Sequence, residues 1–261
     1  MEKRIQSVQR AINILNCFNE DAPVLTLSHI SELLDLNINT VRGLVNTLVA
    51  NGLLIHNTTD NTYTLGLYFI LKSNLIYDTR HLENLVDIAE PYLQRISEKY
   101  SVFSSIQVVS QSSIYMVKSI QPPASHYRIT AQLYEPLSYH CTSSGKLYLQ
   151  YLSPNNLQTA LESINYECYT ANTISCQEEL LEELERQKKN YYSLEVDERS
   201  MGFSSIAVPL LRSGNRLLGT VSVAGPTQVI REQLTPLSRD LIDVSGEMRL
   251  KLKTLPEFIL E

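Results

Sequence analysis

The sequence lacks the residue patterns that usually indicate a metal, redox or nucleotide site. Its four cysteines form no CxxC pair and its five histidines show no HxH or HExxH spacing, so a zinc site is not expected. Cys168 and Cys176 lie near enough in sequence to bridge, but reduced thiols are the default in a cytoplasmic chain. The nine glycines contain no P-loop and no dinucleotide fingerprint. We therefore expect no cofactor and no metal.

Long apolar runs and an excess of basic residues are also missing. No segment approaches the ~20 apolar residues of a membrane span, and the start, MEKRIQSVQR, lacks the apolar core of a signal peptide. A net charge of −6 gives no general affinity for nucleic acid or membranes. The composition, 43% apolar and 19% charged, supports one large domain or two modest ones. The expected location is cytoplasmic, without a membrane partner.

The most regular pattern lies within Thr26–Leu65. It predicts a first helix over Leu27 to Asp35, with Thr26 as its N-cap. A second helix follows, which either Asn37 or Asn39 can cap. Its apolar residues recur at helical spacing and form one stripe: Val41, Leu44, Val45, Leu48 and Val49. Two short helices joined by a tight link are typical of a helix-turn-helix.

The residues on either side of this helix pair complete a winged helix-turn-helix. Gly52 follows the second helix, and two apolar runs, Leu53–Ile55 and Tyr63–Leu65, flank a turn at Asp60-Asn61. This hairpin is the predicted wing. Upstream, Ser7 to Phe18 predicts a helix that packs behind the pair through Val8, Ala11, Ile12, Leu15 and Phe18. Such a motif places one helix in the major groove of DNA.

The side of the second helix away from the stripe is polar. It carries Asn39, Gly43, Asn46 and Ala50, with Thr40, Arg42 and Thr47 on its flanks. These polar side chains suit base edges and phosphates. Gly43 costs roughly 1 kcal/mol relative to alanine in mid-helix, which a close approach to DNA would explain; the alternative is a solvated face with a neutral glycine. The predicted DNA-binding residues are Thr26, Asn37, Asn39, Thr40, Arg42, Gly43, Asn46 and Thr47.

The charge of this region favours two copies on the DNA. Residues 1–75 contain five lysines and arginines against six acidic residues, a net charge of −1, so counterion release contributes little to binding. A dimer that reads two half-sites compensates for this. The stretch Gly66 to Tyr77 is apolar on more than one side, which is typical of a helix that links domains or pairs with a second copy. The alternative is a simple core helix.

The C-terminal two-thirds predicts an α+β domain with a central antiparallel sheet and flanking helices. A helix over His81 to Tyr100 precedes β-type runs at Val102–Val109, Ser113–Ile120, Tyr127–Leu133, Tyr191–Val196, Ser204–Leu211 and Leu217–Val223. Turns are predicted at Gln111–Ser112 and Ser213–Asn215, and further helices at Ser143–Tyr151, Gln177–Lys189 and Gln233–Leu252. The predicted domains are a winged helix at 1–66, a linker helix at 67–80, the α+β domain at 81–252 and a tail at 253–261.

Several strings, taken in order, resemble the IclR family of bacterial transcription regulators. They are IQSVQRAINIL at 5–15, LTLSHISELLDLNINTVRGLV at 25–45, YTLG at 63–66, AEPYLQRI at 89–96, HCTSSGKLYL at 140–149, VDERSMGFSSIAVPL at 196–210 and VSVAGP at 221–226. The resemblance implies a C-terminal GAF-like effector-binding domain. It also implies a homodimer or a tetramer (a dimer of dimers) that binds operator DNA and small organic acids, sugar acids or aromatics.

The same resemblance implies an effector pocket. Its residues here correspond to Leu133, Ser143, Ser144, Glu195, Ser205, Ser222 and Ala224. The loop at Ser143 and Ser144 enters a helix, and helix N-termini favour anions; the alternative is ordinary turn and capping serines. The chain departs from the family pattern at Gly43, where arginine is frequent, at Ser205, where cysteine is frequent, and at Ala224, where a second serine is frequent.

The predicted function is a ligand-responsive DNA-binding regulator, with repression as the expected outcome. An enzyme is the alternative, because His140-Cys141 is an adjacent pair that resembles nucleophilic chemistry and Glu195, Asp197 and Glu198 could act as acid and base. Neighbours on a strand point to opposite faces, however, so the His-Cys pair cannot readily act together. No catalytic residue is predicted. A winged helix that serves only protein contacts is the third possibility.

Overall fold

The chain forms two compact units, Met1–Thr79 and Arg80–Glu261. The computed structural model describes residues 5–19, 21–73, 77–110, 112–123, 125, 127–130, 132–212 and 215–252, with backbone only for 73 and 77–81. The predicted tail at 253–261 lies outside the described residues, as do Gln111 and most of the 213–215 turn. Within the described part, no helix is long and apolar enough to cross a membrane.

The first unit is a winged helix-turn-helix. Its elements are α1 (Gln6–Leu15), α2 (Leu27–Leu34), α3 (Ile38–Ala50), β1 (Leu54–Asn57), β2 (Thr62–Leu65) and α4 (Tyr68–Ser73). Thr26 caps α2 by accepting the His29 N–H, and Asn37 rather than Asn39 caps α3. Asp35 lies outside α2 because its φ of 48° is left-handed. The antiparallel pairing of β1 with β2 forms the wing.

The predicted apolar stripe of α1 is confirmed only in part, because Ala11, Leu15 and Phe18 pack in the core whereas Val8 and Ile12 do not. Val8 and Ile12 are 54% and 45% exposed, whereas Ile14 is fully buried. Ile14 joins a core with Ile30 of α2 and Val41 of α3. The helix carries apolar residues on two sides, so periodicity alone could not determine which side faces the core.

Truncation of Ile14 and of Ile12 should show which side of α1 packs in the core. We expect Ile14→Ala to lower the free energy of unfolding by about 2–5 kcal/mol, because it leaves a cavity in a closed core. Ile12→Ala is the matched control and should change it by no more than about 0.5 kcal/mol. Denaturant unfolding of both variants measures the difference; equal losses would contradict the observed register.

The second unit is an α+β fold around one five-stranded sheet. Its helices are α5 (Tyr77–Tyr100), α6 (Ser143–Gln150), α7 (Pro154–Ser163), α8 (Gln177–Gln187), α9 (Thr227–Glu232) and α10 (Leu234–Leu252). Its strands are β3 (Phe103–Ser110), β4 (Ser113–Ile120), β5 (Ser193–Val196), β6 (Phe203–Leu211) and β7 (Leu217–Pro226). The order is β4-β3-β7-β6-β5, and every neighbouring pair is antiparallel.

The two faces of this sheet differ in chemistry because side chains alternate along each strand. One face is apolar and packs on α5 and α10 through residues such as Ile106, Ile206 and Val221. The opposite face carries hydroxyls and amides and contacts α6 through hydrogen bonds to Ser144. The alternation therefore places a polar surface between the sheet and α6.

Two predicted elements of this unit, one strand and the start of one helix, differ from the structure, and two short helices were not predicted. The predicted strand Tyr127–Leu133 has no strand among its described residues. The isolated bridge that Tyr115 of β4 makes nearby is to Pro136, and proline cannot donate to a strand ladder. The short helices α7 and α9 were not predicted. The helix α5 begins at Tyr77, four residues before its predicted start at His81.

Candidate functional site

The polar side of α3 is exposed along its length. Asn39, Thr40, Arg42, Gly43, Asn46 and Thr47 are all exposed, and Val41 and Val45 are fully buried on the other side. The Arg42 guanidinium donates to Asn39 Oδ1 at 3.1 Å. This bond holds a cation beside the amide, at the solvent-facing start of the helix. The side chain of Asn46 makes no hydrogen bond to any part of the chain that the structure describes, so its amide is available to a partner.

Some predicted DNA-binding side chains have intramolecular roles. Thr26 is half-buried and caps α2, while Asn37 Oδ1 accepts the Asn39 N–H at 2.9 Å. Thr47 donates its hydroxyl to the Gly43 carbonyl at 3.0 Å, so its proton is already engaged. A Cβ added at Gly43 would meet nothing within 4 Å. Packing within the described residues therefore gives no reason for glycine there.

Strand pairing brings most of the predicted effector residues together on the polar face of the sheet. Ser205 lies opposite both Glu195 and Ala224, and Ser222 lies two residues from Ala224 along β7. Ser143 and Ser144 approach the same face from the first turn of α6, where Ser143 N donates to Ser205 Oγ at 3.4 Å. Leu133 does not join them; it is 41% exposed in a turn.

The centre of this face is Gln107, which the sequence reading did not single out. Gln107 Nε2 donates to Ser105 Oγ at 2.8 Å and to Ser222 Oγ at 3.0 Å. Its Oε1 accepts from Thr220 at 2.6 Å and from Ser144 at 3.1 Å. All five residues are buried. The alternation of the polar residues Ser105 and Gln107 with apolar residues in this strand is the sequence feature that could have indicated a polar site here.

Glu195 lies on the edge strand β5, at the other side of the polar face. Its Oε1 accepts the backbone N–H groups of Glu198 at 2.6 Å and Arg199 at 3.2 Å, and its Oε2 accepts the Ser205 hydroxyl at 2.9 Å. Burial raises the pKa of Glu195, and these three donors oppose the increase by stabilising the carboxylate. A buried carboxylate therefore lies beside Ser205.

The start of α6 is closely packed. The hydroxyl of Thr142 accepts the Gly145 N–H at 3.0 Å and caps the helix. A Cβ at Gly145 would lie 2.4 Å from the Ser138 carbonyl oxygen and 2.6 Å from the Tyr139 Cα. Only glycine allows the preceding segment to approach this closely, and that approach positions Ser143 and Ser144.

A buried ion pair lies behind this turn. Lys146 is fully buried, and its Nζ lies 2.5 Å from Glu198 Oε1 and 4.0 Å from Glu183 Oε1. Burial raises the pKa of Glu198 to about 7, against the opposing effect of the Lys146 ammonium. These groups tie α6 to α8 and to the loop after β5.

The geometry gives no support to nucleophilic chemistry at His140-Cys141. Burial raises the pKa of the Cys141 thiol to about 11, which leaves it protonated at neutral pH. His140 Nε2 lies 3.0 Å from the Glu167 carbonyl oxygen and so is engaged with the backbone. All four cysteines are free. The described residues contain no cluster of His, Cys, Asp or Glu suited to a metal ion.

Comparison with known proteins agrees with both halves of the chain. Residues 7–57 match the family described as the IclR helix-turn-helix domain, and residues 79–246 match the bacterial transcriptional regulator IclR C-terminal family. The HTH-type transcriptional regulator XynR of Escherichia coli K12 is 24% identical over 242 residues, covering 93% of this chain and 94% of that protein. The transcriptional repressor YiaJ of the same strain is 23% identical over 250 residues, covering 93% and 88%.

Solved structures share the fold. An IclR homologue from Microbacterium hydrocarbonoxydans, complexed with 4-hydroxybenzoate, has a TM-score of 0.78 at 20% identity and covers 95% of this chain and 100% of that one. The relatives are transcriptional regulators rather than enzymes, with a DNA-binding helix-turn-helix and a C-terminal effector-binding domain. The two family matches together span most of the sequence, and the chain therefore belongs to the IclR family of bacterial transcriptional regulators.

Proposed function

We propose that this regulator reads operator DNA with the exposed face of α3 and represses transcription until an effector binds the polar face of its C-terminal sheet. The observation that carries the DNA-binding part is the exposed row of Asn39, Arg42 and Asn46 on the side of α3 away from its buried valines. Thr40 and Thr47 flank this row, and the capped helix N-termini at Thr26 and Asn37 suit phosphate contacts.

The proposed domain roles follow the two units. Residues 1–66 bind DNA, 67–80 link, and 81–252 bind the effector in the cytoplasm. We assign effector contacts to Ser143, Ser144, Glu195, Ser205 and Ser222, with Ala224 as a small neighbour; Leu133, which does not join this group, receives no contact in the proposal. Effector binding changes operator affinity through differential affinity for two arrangements of the protein, typically about 1–3 kcal/mol.

We also propose that the protein acts as a homodimer or as a dimer of dimers. The support is the apolar surface at α4, where Leu67, Ile70 and Leu71 are more than 60% exposed. Exposed apolar residues in such a run favour pairing over a simple core helix. A second copy also supplies a second recognition helix, which the net charge of −1 over residues 1–75 makes necessary for tight binding.

The DNA-binding proposal is tested by selecting the preferred duplex from a random pool and then measuring variants on it. We expect Arg42→Ala and Asn46→Ala each to weaken binding by about 1–3 kcal/mol per half-site, because each removes a groove contact. Asn13→Ala, an exposed asparagine of α1, is the control and should bind as wild type. Undiminished sequence-specific binding by both α3 variants would overturn the assigned recognition helix.

A further inference from the structure

The hydrogen-bond donors and acceptors on the polar sheet face are arranged asymmetrically. The orientation of the Gln107 amide follows from bond lengths. The 2.6 Å contact to Thr220 suits an O–H···O bond and is short for N–H···O, so the oxygen of the amide faces Thr220 and Ser144. Both protons of Nε2 then go to Ser105 and Ser222, at 2.8 and 3.0 Å.

Counting protons shows what Ser222 can offer to a ligand. Ser105 Oγ and Ser222 Oγ are 3.0 Å apart, and each already accepts from Gln107. One of the two hydroxyls donates to the other, which leaves a single proton without an acceptor. Ser105 is only 1% exposed, and an unpaired proton there would carry a desolvation penalty. Ser105 therefore donates to Ser222, and the Ser222 proton remains for a ligand.

The opposite polarity holds at Ser205. Its proton is committed to Glu195 Oε2 at 2.9 Å and its oxygen accepts the Ser143 N–H at 3.4 Å, so toward a ligand it presents one remaining lone pair, and the buried carboxylate lies beside it. Ser205 faces Ala224, two residues from Ser222 on β7. The two hydroxyls are thus diagonal neighbours on one face, about 7–8 Å apart at their backbones, a distance that one small molecule can bridge.

We propose that the effector of this chain carries a hydrogen-bond acceptor toward Ser222 and a hydrogen-bond donor toward Ser205 and Glu195. This inference rests on the proposed effector role of the sheet face. A carboxylate with a neighbouring hydroxyl, as in a hydroxy acid or a sugar acid, meets both requirements. A 2-oxo acid or a plain dicarboxylate places a further acceptor against the Glu195 carboxylate and the Ser205 oxygen, where the acceptors repel one another, and buried polar sites discriminate strongly against such analogues.

Matched acids with the same carbon skeleton test the proposal on the wild-type protein. The probes are lactate with pyruvate, 2-hydroxyglutarate with 2-oxoglutarate, gluconate with 2-ketogluconate, and mandelate with phenylglyoxylate, each titrated by calorimetry. We expect at least one hydroxy acid to bind, more than tenfold more tightly than its oxo partner. An oxo acid that binds as tightly as its partner, or a panel in which no hydroxy acid binds, would overturn the proposal. Operator binding without ligand reports separately on the proposed regulator function.

The substitution Glu195→Gln should remove the preference for hydroxy acids. The backbone N–H groups of Glu198 and Arg199 keep an amide oxygen in place of Oε1, so the new amide nitrogen faces Ser205 and donates to it. The Ser205 proton is then free, and the hydroxy-to-oxo affinity ratio should fall at least tenfold. The double variant Glu195→Gln/Ser205→Ala lacks that hydroxyl and should lose the gain for oxo acids. An unchanged ratio in a folded Glu195→Gln protein contradicts the assigned polarity.

Discussion

Replacing Gly43 by alanine is expected to stabilise the winged helix and weaken its binding to operator DNA. Alanine in an exposed helix interior is favoured over glycine by about 1 kcal/mol, and the added Cβ meets nothing within 4 Å. On DNA the same atom would separate the helix from the groove. If the methyl group of Gly43→Ala costs about 1.4 kcal/mol of binding free energy per helix, affinity falls tenfold per helix and about 100-fold for a dimer. The larger side chain of Gly43→Leu should reduce specific binding by more than 100-fold.

Gly246→Ala is the matched control for this prediction. Gly246 is also an exposed helical glycine, in α10, and a Cβ there likewise meets nothing within 4 Å. It should stabilise the protein without changing operator affinity. Calorimetric unfolding and gel-shift titration measure the two properties. If Gly43→Ala bound the operator as tightly as wild type, the close approach of α3 to DNA would be wrong, and the glycine would be neutral on a solvated face.

Replacing Gly145 by alanine is expected to destabilise the C-terminal unit by about 3 kcal/mol or more. The added Cβ would lie 2.4 Å from the Ser138 carbonyl oxygen and 2.7 Å from Thr142 Oγ1. Overpacking of this kind costs about 1–3 kcal/mol, and displacement of the Thr142 cap adds about 1 kcal/mol. Because the backbone must move, Ser143 and Ser144 move with it, and effector binding should be lost.

Differential scanning calorimetry of Gly145→Ala, with Gly246→Ala as the control that adds the same methyl group in open space, measures this effect. The transition of the C-terminal unit should shift to lower temperature in the first variant only. Ligand titration of the folded protein at low temperature then reports on the serines. Wild-type stability together with wild-type ligand binding would contradict the close packing at the start of α6.

The sequence was sufficient to predict those helices whose caps and apolar spacing depend on residues close together in the chain. The caps at Thr26 and Asn37 and the buried Val41–Val45 stripe follow from contacts within a few residues, which is why the winged helix could be predicted. The predicted stripe of α1 was right for Ala11, Leu15 and Phe18 but missed Ile14, because two apolar sides of the helix compete and only the packing against α2 and α3 decides between them. The strands of the second unit were predicted from short β-type runs, but the described residues of Tyr127–Leu133 form no strand.

At the candidate effector site, the contribution of the sequence and that of the tertiary structure are easier to separate. The sequence itself determined that the chain has a helix-turn-helix, an antiparallel α+β unit, and small polar residues near strand ends. Only the tertiary structure decided which polar residues meet. Gln107 bonds Thr220 and Ser222, more than 100 residues away, because β3 pairs with the last strand β7 rather than with its sequence neighbours alone. The packing of the whole core sets the register of strands that are so far apart in sequence. That register in turn decides which side of the site donates hydrogen bonds and which side accepts them.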